Sequence, residues 1–260
     1  MDLRKREEKE FHDRLRNVGL KEDQSNYDHL TSNKKYYSIT HSSNDFVNNW
    51  LRLRCPGKRV LDYCCGNGGT SFFLAKHGAQ VTGIDISNTS IENCRKKTTQ
   101  EGLGKNASFL VMDAENLEFD DNYFDIIFCG GVLHHLDIQK AYFELARVLK
   151  PDGEIICNEP LVHNLFIQLY RKMTPHLRTK WETEHILSKK EINLARKYFR
   201  KLEIKFFHFA TLAAVPFRKT KMFNIILHTL EMLDKVILKM SFLKWQAWQV
   251  IFILSEPKKG

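Results

Sequence analysis

The chain has 260 residues, of which 43% are hydrophobic and 27% charged, and this excludes a disordered or low-complexity protein. Its net charge of +9 lies at one end: residues 161–260 carry 19 Lys and Arg against 7 Asp and Glu, whereas residues 1–160 carry 21 against 24. The basic end is compatible with an acidic substrate, an anionic membrane surface, a nucleic acid, or a solvated basic face without a partner.

The six cysteines form no C-x-x-C pair and no metal-ligand spacing, so they indicate reduced thiols rather than a disulfide framework or a metal centre. The first residues are charged and have no apolar stretch behind them, so we expect no signal peptide. Together these features predict a reducing, cytoplasmic compartment.

The chain order of elements predicts an α/β protein. Residues 1–57 are charged and then tyrosine-rich, and we interpret them as a helical cap. From Lys58 onward, short apolar strands alternate with amphipathic helices, which is typical of a mostly parallel sheet covered on both faces. Expected strands are Arg59–Tyr63, Gln80–Ile84, Ala107–Met112, Phe124–Cys129 and Glu154–Asn158. Expected helices are Thr70–His77, Ser90–Gly102 and Leu136–Leu149, the last one ending at Lys150–Gly153.

The pattern changes after residue 160. A helix is expected at Leu161–Met173. A second helix is expected to begin at the capping box Ser188–Glu191 and to end at Tyr198. The last two expected strands are Lys201–Phe209 and Ala247–Leu254. Between those strands, residues 221–244 read as an amphipathic helix whose apolar face packs on the sheet, which we favour over contact with a membrane surface. We expect one globular domain, with a core at 58–160 and an acceptor-side part at 161–260.

Polar or glycine-rich loops follow four of the expected strands. The first is Cys64-Cys65-Gly66-Asn67-Gly68, which lacks the lysine of a phosphate-binding loop and has Ser71 where a dinucleotide fingerprint needs its third glycine. Asp85 ends the second strand at a spacing suited to a ribose diol, and Asp113 follows the third, where it could accept from an amine such as that of adenine. Each aspartate alone could instead be a helix N-cap.

As a set, these loops resemble those of class I S-adenosylmethionine-dependent methyltransferases, specifically the methyltransferase type 11 group that includes enzymes of ubiquinone and menaquinone biosynthesis. The segments that carry the resemblance lie between Lys58 and Glu159: Val60–Gly68, Gly83–Ser87, Asp113–Glu115, Phe124–Ile127, Val132–Leu136 and Arg147–Gly153. The resemblance implies a doubly wound, Rossmann-like sheet of seven strands, the last one antiparallel, with N-terminal helices and a helical insertion as a cap.

The resemblance also implies S-adenosylmethionine as the cofactor. It assigns the ribose to Asp85, the adenine amine to Asp113, and the methionyl part to Asp62 and the glycine backbone. The full set of expected cofactor residues is Asp62, Cys64, Gly66, Gly68, Asp85, Ile86, Asp113, Ala114 and Gly130. Cys64 stands where the family usually has glycine, and we expect it to be tolerated with a negative φ.

For the chemistry, His134 is the candidate general base, because some O-methyltransferases of this superfamily place a catalytic histidine after the fourth strand. A capping or packing role is the alternative, and His135 is expected to be structural. The acceptor is expected to be a small molecule, acidic or lipid-like, that is methylated on oxygen. Its candidate binding residues are Tyr37, Glu159, His163, Arg171 and Arg178. Glu159, His163 and His185 have no recognised ligand spacing, so no metal is expected.

Three other functions remain as alternatives. A nucleic-acid methyltransferase would suit the basic end, but the loop after the fourth strand, Cys129–His135, lacks the Asn/Asp-Pro-Pro-aromatic motif that grips a flipped base. A non-catalytic cofactor-binding partner subunit would be expected to lack the acidic residues of the cofactor loops, but Asp62, Asp85 and Asp113 are all present. A dinucleotide oxidoreductase is disfavoured by Ser71. The sequence does not predict an oligomeric state.

Overall fold

The computed structural model describes residues 3–18, 34–177 and 179–259. Its centre is a seven-stranded sheet with the order β3-β2-β1-β4-β5-β7-β6. The strands are β1 (Arg59–Tyr63), β2 (Gln80–Asp85), β3 (Ala107–Val111), β4 (Phe124–Gly130), β5 (Leu149–Pro160), β6 (Phe199–Phe207) and β7 (Gln249–Pro257). The first five pair in parallel, whereas β7 is antiparallel to both β5 and β6. The predicted doubly wound sheet with an antiparallel last strand is confirmed.

Helices cover both faces of the sheet. They are α1 (Leu3–Val18), α2 (Lys34–Tyr37), α3 (His41–Arg54), α4 (Gly69–Lys76), α5 (Asn88–Gln100), α6 (Ile138–Val148), α7 (Leu165–Met173), α8 (Lys180–His185), α9 (Lys189–Leu194) and α10 (Phe223–Ile237). Within the described ranges, no helix combines the length and the apolar character needed to cross a membrane.

Side-chain caps set several helix starts, because the first N–H groups of a helix have no partner inside it. The side chains of Ser87, Asp137 and Asn164 each accept from a backbone N–H of the following turn. The predicted capping box at Ser188 and Glu191 is confirmed. The Asn164 cap also explains why α7 begins at Leu165, four residues later than the sequence predicts.

The largest local difference from the prediction is at β5. The sequence predicts a helix stop at Lys150–Gly153, but these residues extend β5, whose register against β4 shifts between Phe124 and Ile126. A β-bulge of this kind takes in residues that a regular ladder would exclude. Gly153 fits because a Cβ there would lie 2.7 Å from Leu149 Cδ1 and 2.9 Å from the carbonyl oxygen of Asp125.

Helix α10 also differs from the prediction. Only Leu227 and Asp234 of this helix are buried. Its inner face packs against a small apolar cluster that includes Ile39, Ile167 and Trp248. Many of its other apolar residues are exposed, so the expectation that its apolar face packs on the sheet is wrong.

Candidate active site

The loops that leave the carboxyl ends of β1 to β5 meet at one edge of the sheet, where the strand order reverses between β1 and β4. Ligands bind at this switch point in open α/β sheets. Two clefts lie there and share Gly130, Gly131, His12 and His135 in their walls. The first has about 760 Å³ of empty space and the second about 1400 Å³, including the parts open to solvent.

Six of the nine expected cofactor residues line the first cleft: Cys64, Asp85, Ile86, Asp113, Ala114 and Gly130. Asp85 is held firmly, because its Oδ2 accepts from the Gly66 N–H and its Oδ1 from the Ser87 N–H, both at 2.9 Å. A carboxylate has about four acceptor positions, so two remain for the hydroxyls of a ribose diol. The lining of this cleft therefore fits a nucleoside-containing cofactor.

The other three expected cofactor residues lie beneath the cleft rather than in its wall. Gly66 and Gly68 form the turn after β1 with φ angles of 53° and 73°, a conformation that favours glycine. Asp62 is buried and accepts a hydrogen bond from the Ser71 hydroxyl. Burial raises the pKa of Asp62 to about 6. These residues shape the loop, so their contribution to cofactor binding stays a prediction.

Cys64 is the point at which the cofactor loop departs from expectation. Its φ is 60°, so the expected negative φ is wrong. In this left-handed region the backbone conformation of a residue with a Cβ is roughly 1 kcal/mol or more less favourable, whereas glycine has no such cost. The chain therefore keeps the backbone geometry that a glycine would adopt and gains a thiol that borders the cleft.

Helix α1 brings cations to the acids after β3. Lys5 Nζ lies 2.6 Å from Asp113 Oδ2 and 3.0 Å from Glu115 Oε2, and Arg4 Nη2 lies 2.6 Å from Glu115 Oε1. Burial by itself would lower the pKa of Lys5, but the hydrogen bonds and charges of the two acids outweigh it, so the pKa is raised. Asp113, whose carboxylate is expected to accept a hydrogen bond from the adenine amine, is therefore already paired with Lys5.

A second group of contacts fastens α1 to the loop after β4. Glu8 Oε2 lies 3.0 Å from His135 Nδ1 and 3.6 Å from His12 Nε2, and Glu8 also accepts from the Thr179 hydroxyl. Although burial opposes it, the pairing lowers the pKa of Glu8 and raises that of His135. An ion pair accounts for this geometry. Glu8, His12 and His135 also have possible metal-ligand atoms that all lie within 4.8 Å of one another, close enough to bind a divalent cation.

His134 is positioned by Glu159. The His134 Nδ1 lies 2.8 Å from Glu159 Oε2, while Glu159 Oε1 accepts the backbone N–H groups of Val132 and Leu133 at 2.8 and 2.9 Å. The anionic carboxylate accepts from all three nitrogens, so Nδ1 carries the proton and Nε2 is the basic nitrogen of the ring. His134 also lines the second cleft. This arrangement suits a general base.

The second cleft has an aromatic wall. It is lined by Phe11, Tyr36, Tyr37, Phe128, Tyr170 and Trp248. The buried guanidinium of Arg171 lies in the same wall and donates to the carbonyl oxygen of Leu161 at 3.0 Å. Of the expected acceptor residues, the structure therefore places Tyr37 and Arg171 at this cleft.

The remaining expected acceptor residues are elsewhere. Glu159 is 1% exposed, and its carboxylate accepts hydrogen bonds from His134 and from the loop after β4. It therefore lies behind the cleft wall. His163 is near Trp245 and accepts from the Lys189 N–H, outside both clefts. Arg178 lies outside the described residues. His185 stacks on Trp181, and among the described residues Glu159, His163 and His185 form no cluster that could hold a metal.

Helix α1 contributes to the site in a way that was not predicted from the sequence: it lines the first cleft with Arg4, Lys5, Glu8 and His12. A signal was present, because residues at positions i and i+4 share one helix face. Arg4, Glu8 and His12 have this spacing. The neighbouring carboxylates of Asp113 and Glu115 would be stabilised by pairing with basic side chains. The sequence could not show that this face meets those acids.

The sheet order, the acid that ends β2 and the glycine turn after β1 are those implied by the resemblance to class I S-adenosylmethionine-dependent methyltransferases. The comparisons agree: residues 61–157 match the family model described as "Methyltransferase domain". The chain therefore contains an S-adenosylmethionine-dependent methyltransferase domain.

Curated relatives are similar over part of this chain. A ubiquinone biosynthesis O-methyltransferase of Coxiella burnetii is 41% identical over 105 residues, which cover 40% of this chain and 44% of the relative. A phthiotriol/phenolphthiotriol dimycocerosates methyltransferase of Mycobacterium ulcerans is 31% identical over 137 residues, covering 52% of this chain and 44% of the relative. The match thus spans less than half the length of these relatives.

A solved structure extends the similarity of fold over most of the chain. It is the phosphoethanolamine N-methyltransferase 2 of Haemonchus contortus in complex with S-adenosyl-L-methionine. The two share 19% identity with a TM-score of 0.60, over 91% of this chain and 59% of that one.

Proposed function

We propose that the protein transfers a methyl group from S-adenosylmethionine to an oxygen of a small, partly apolar or lipid-like acceptor. The observation that carries the proposal is the His134–Glu159 pair. His134 lines the second cleft and is next in the chain to His135, which lines both clefts. Asp85, Ile86, Asp113 and Ala114 would hold the cofactor in the first cleft. When bound, the cofactor supplies a methyl group on a sulfonium whose leaving group is a neutral thioether.

The chain's own residues then have two tasks. The first is to orient an acceptor against the cofactor and exclude water, for which the aromatic wall of the second cleft is suited. The second is to remove the proton of a hydroxyl, since a phenol or alcohol is protonated at neutral pH. His134 would take that proton on Nε2, while Glu159 holds Nδ1–H and stabilises the imidazolium that forms.

The acceptor class is supported by the shape and chemistry of the second cleft. Rings such as Tyr36, Tyr37 and Trp248 offer flat apolar surface, and Arg171 places a positive charge beside them. The curated relatives are named for ubiquinone biosynthesis and for phthiotriol dimycocerosates, which are lipid-like compounds. We therefore favour a phenol or alcohol with an apolar tail. The six free cysteines support a reducing, cytoplasmic setting.

The test has two stages. Isothermal titration with S-adenosylmethionine and, separately, with NADH first asks which cofactor binds, and micromolar binding of the former alone is expected. Transfer of a labelled methyl group to a series of phenols, from catechol to prenylated phenols, then asks for the acceptor. Cofactor binding without transfer to any hydroxyl acceptor would contradict the assignment of His134 as a base for oxygen.

A further inference from the structure

Helix α10 exposes an apolar stripe to solvent. Ile225, Met232 and Val236 are 61%, 51% and 64% exposed, and Met240 continues the row beyond the helix end. Their spacing of seven, four and four residues places them on one side of a helix. Met222, Leu233 and Phe242 are exposed nearby. Contiguous exposed apolar surface of this kind marks a binding face.

The packing of α10 inside the protein does not need this stripe. Phe223, Ile226, Leu227 and Leu230 on its other side already pack against the cluster that contains Ile167 and Trp248. The helix is therefore apolar on two sides, and only one of them is covered by the described part of the chain.

The charges around the stripe are predominantly basic. Lys219, Lys221, Lys235 and Lys239 are exposed. The helix has two acids, Glu231, which is half-buried, and Asp234. Asp234 is buried and accepts from the backbone N–H groups of Phe209, Ala210 and Thr211, so it is directed inward. Apolar side chains with lysines beside them are typical of helices that lie in the interface of an anionic membrane.

Helix α7 packs in the same apolar cluster as α10, through Ile167 and Leu227, and it borders the second cleft. Its outward residues Leu165, Phe166, Leu169 and Met173 are 60–77% exposed. Its inward residues Ile167, Tyr170 and Arg171 line the cleft. The outward face of α7 and the second cleft are therefore separated by the width of one helix. A lipid-like molecule that left a membrane at this face would have only that distance to travel to the cleft.

We propose that the outward faces of α7 and α10 bind the surface of an anionic lipid bilayer. A second copy of the chain is a poorer occupant, because a twofold interface would bring the same lysines of both copies together. The preference against membrane contact derived from the sequence assumed that the apolar face of α10 packs on the sheet, and this face does not pack there. The proposal concerns binding, so it does not depend on the proposed methyl transfer.

The experiment is co-sedimentation of the full chain with two kinds of vesicle, phosphatidylcholine alone and phosphatidylcholine with about 30 mol% phosphatidylglycerol. We expect binding to the anionic vesicles that decreases as salt is added. Ile225→Ser/Met232→Ser/Val236→Ser should weaken that binding about 100-fold by removing apolar groups that enter the interface. Lys235→Ala/Lys239→Ala should weaken it about 30-fold. Leu53→Ser/Phe143→Ser changes residues that are 72% and 58% exposed on α3 and α6, and should bind as the unchanged protein does.

Three results would overturn the proposal. The first is absence of binding to anionic vesicles. The second is unchanged binding of both the serine triple variant and the lysine double variant, with circular dichroism confirming their folding. The third is a dimer in sedimentation velocity that the triple variant converts to monomer while vesicles are not bound, because a second copy would then cover the stripe. If the triple variant fails to fold, the lysine variant decides, since its charge change lies on exposed side chains.

Discussion

Replacing Glu159 with glutamine tests the proposed base by changing one atom of its partner. In the structure, the Glu159 carboxylate accepts three hydrogen bonds of 2.8–2.9 Å, two from backbone N–H groups and one from His134 Nδ1. A glutamine oxygen can still accept from both backbone groups, but its NH₂ must then face His134. Nδ1 is forced to accept, so the ring proton moves to Nε2.

An imidazole protonated on Nε2 cannot take a proton from the acceptor. General-base catalysis contributes about 10²–10⁴ in rate, so Glu159→Gln should lower kcat by that factor, equivalent to about 3–5 kcal/mol of barrier. His134→Ala should have a similar effect, and the double variant should be no slower than either single one, since the two residues act as a unit. The cofactor Kd should stay within about twofold, because neither side chain lines the first cleft.

The assay is transfer of a labelled methyl group at saturating S-adenosylmethionine, with calorimetry for cofactor affinity. A dinitro-substituted phenol is a built-in control, because it is fully ionised at neutral pH and needs no base. The loss of rate in Glu159→Gln should therefore largely disappear with that acceptor. An equal loss with both acceptors, or a loss of cofactor affinity that matches the loss of rate, would refute the role given to this pair.

Three further predictions concern the cofactor loop and the fold. Asp85→Asn should raise the Kd for S-adenosylmethionine about 10–100-fold in calorimetry, because charge-assisted hydrogen bonds are lost, and an unchanged Kd would contradict the ribose assignment. Cys64→Gly should be more stable than Cys64→Ala by about 1 kcal/mol in urea unfolding, since only glycine adopts a φ of 60° without strain; the reverse order would mean that this residue has a negative φ in solution. Burial and the charge of His41 lower the pKa of His208 to about 3. Below pH 6.5 the unfolded chain therefore binds a proton that the folded chain refuses, and stability falls by up to about 2 kcal/mol between pH 6.5 and 5. His208→Asn keeps the left-handed φ of 66° with a residue that tolerates it and should flatten this pH dependence in urea unfolding; an equally steep dependence in the variant would show that another group is responsible.

Local sequence determined the strands, most of the helices and the order of the site loops. β1 matches its predicted bounds and most other strands lie within about two residues of theirs, because each apolar run is bounded by turn or cap residues within the same short window. The same locality explains the capping box at Ser188, and it explains why Asp85, Asp113 and Gly130 could be placed at one edge. Parallel strands bring their carboxyl ends together whatever their distance in sequence.

Only the tertiary structure decided which side chains meet across that edge. Glu8 and His135 are 127 residues apart, and Lys5 and Asp113 are 108 apart, so no local pattern pairs them. Glu159 could be predicted near the acceptor but not as the partner of His134, because the choice depends on the register of β4 against β5. The left-handed φ of Cys64 was equally hidden, since it follows from the path the turn must take beneath the cleft. The stripe on α10 is exposed because the neighbouring elements leave it uncovered, and burial of this kind is a property of the assembled fold.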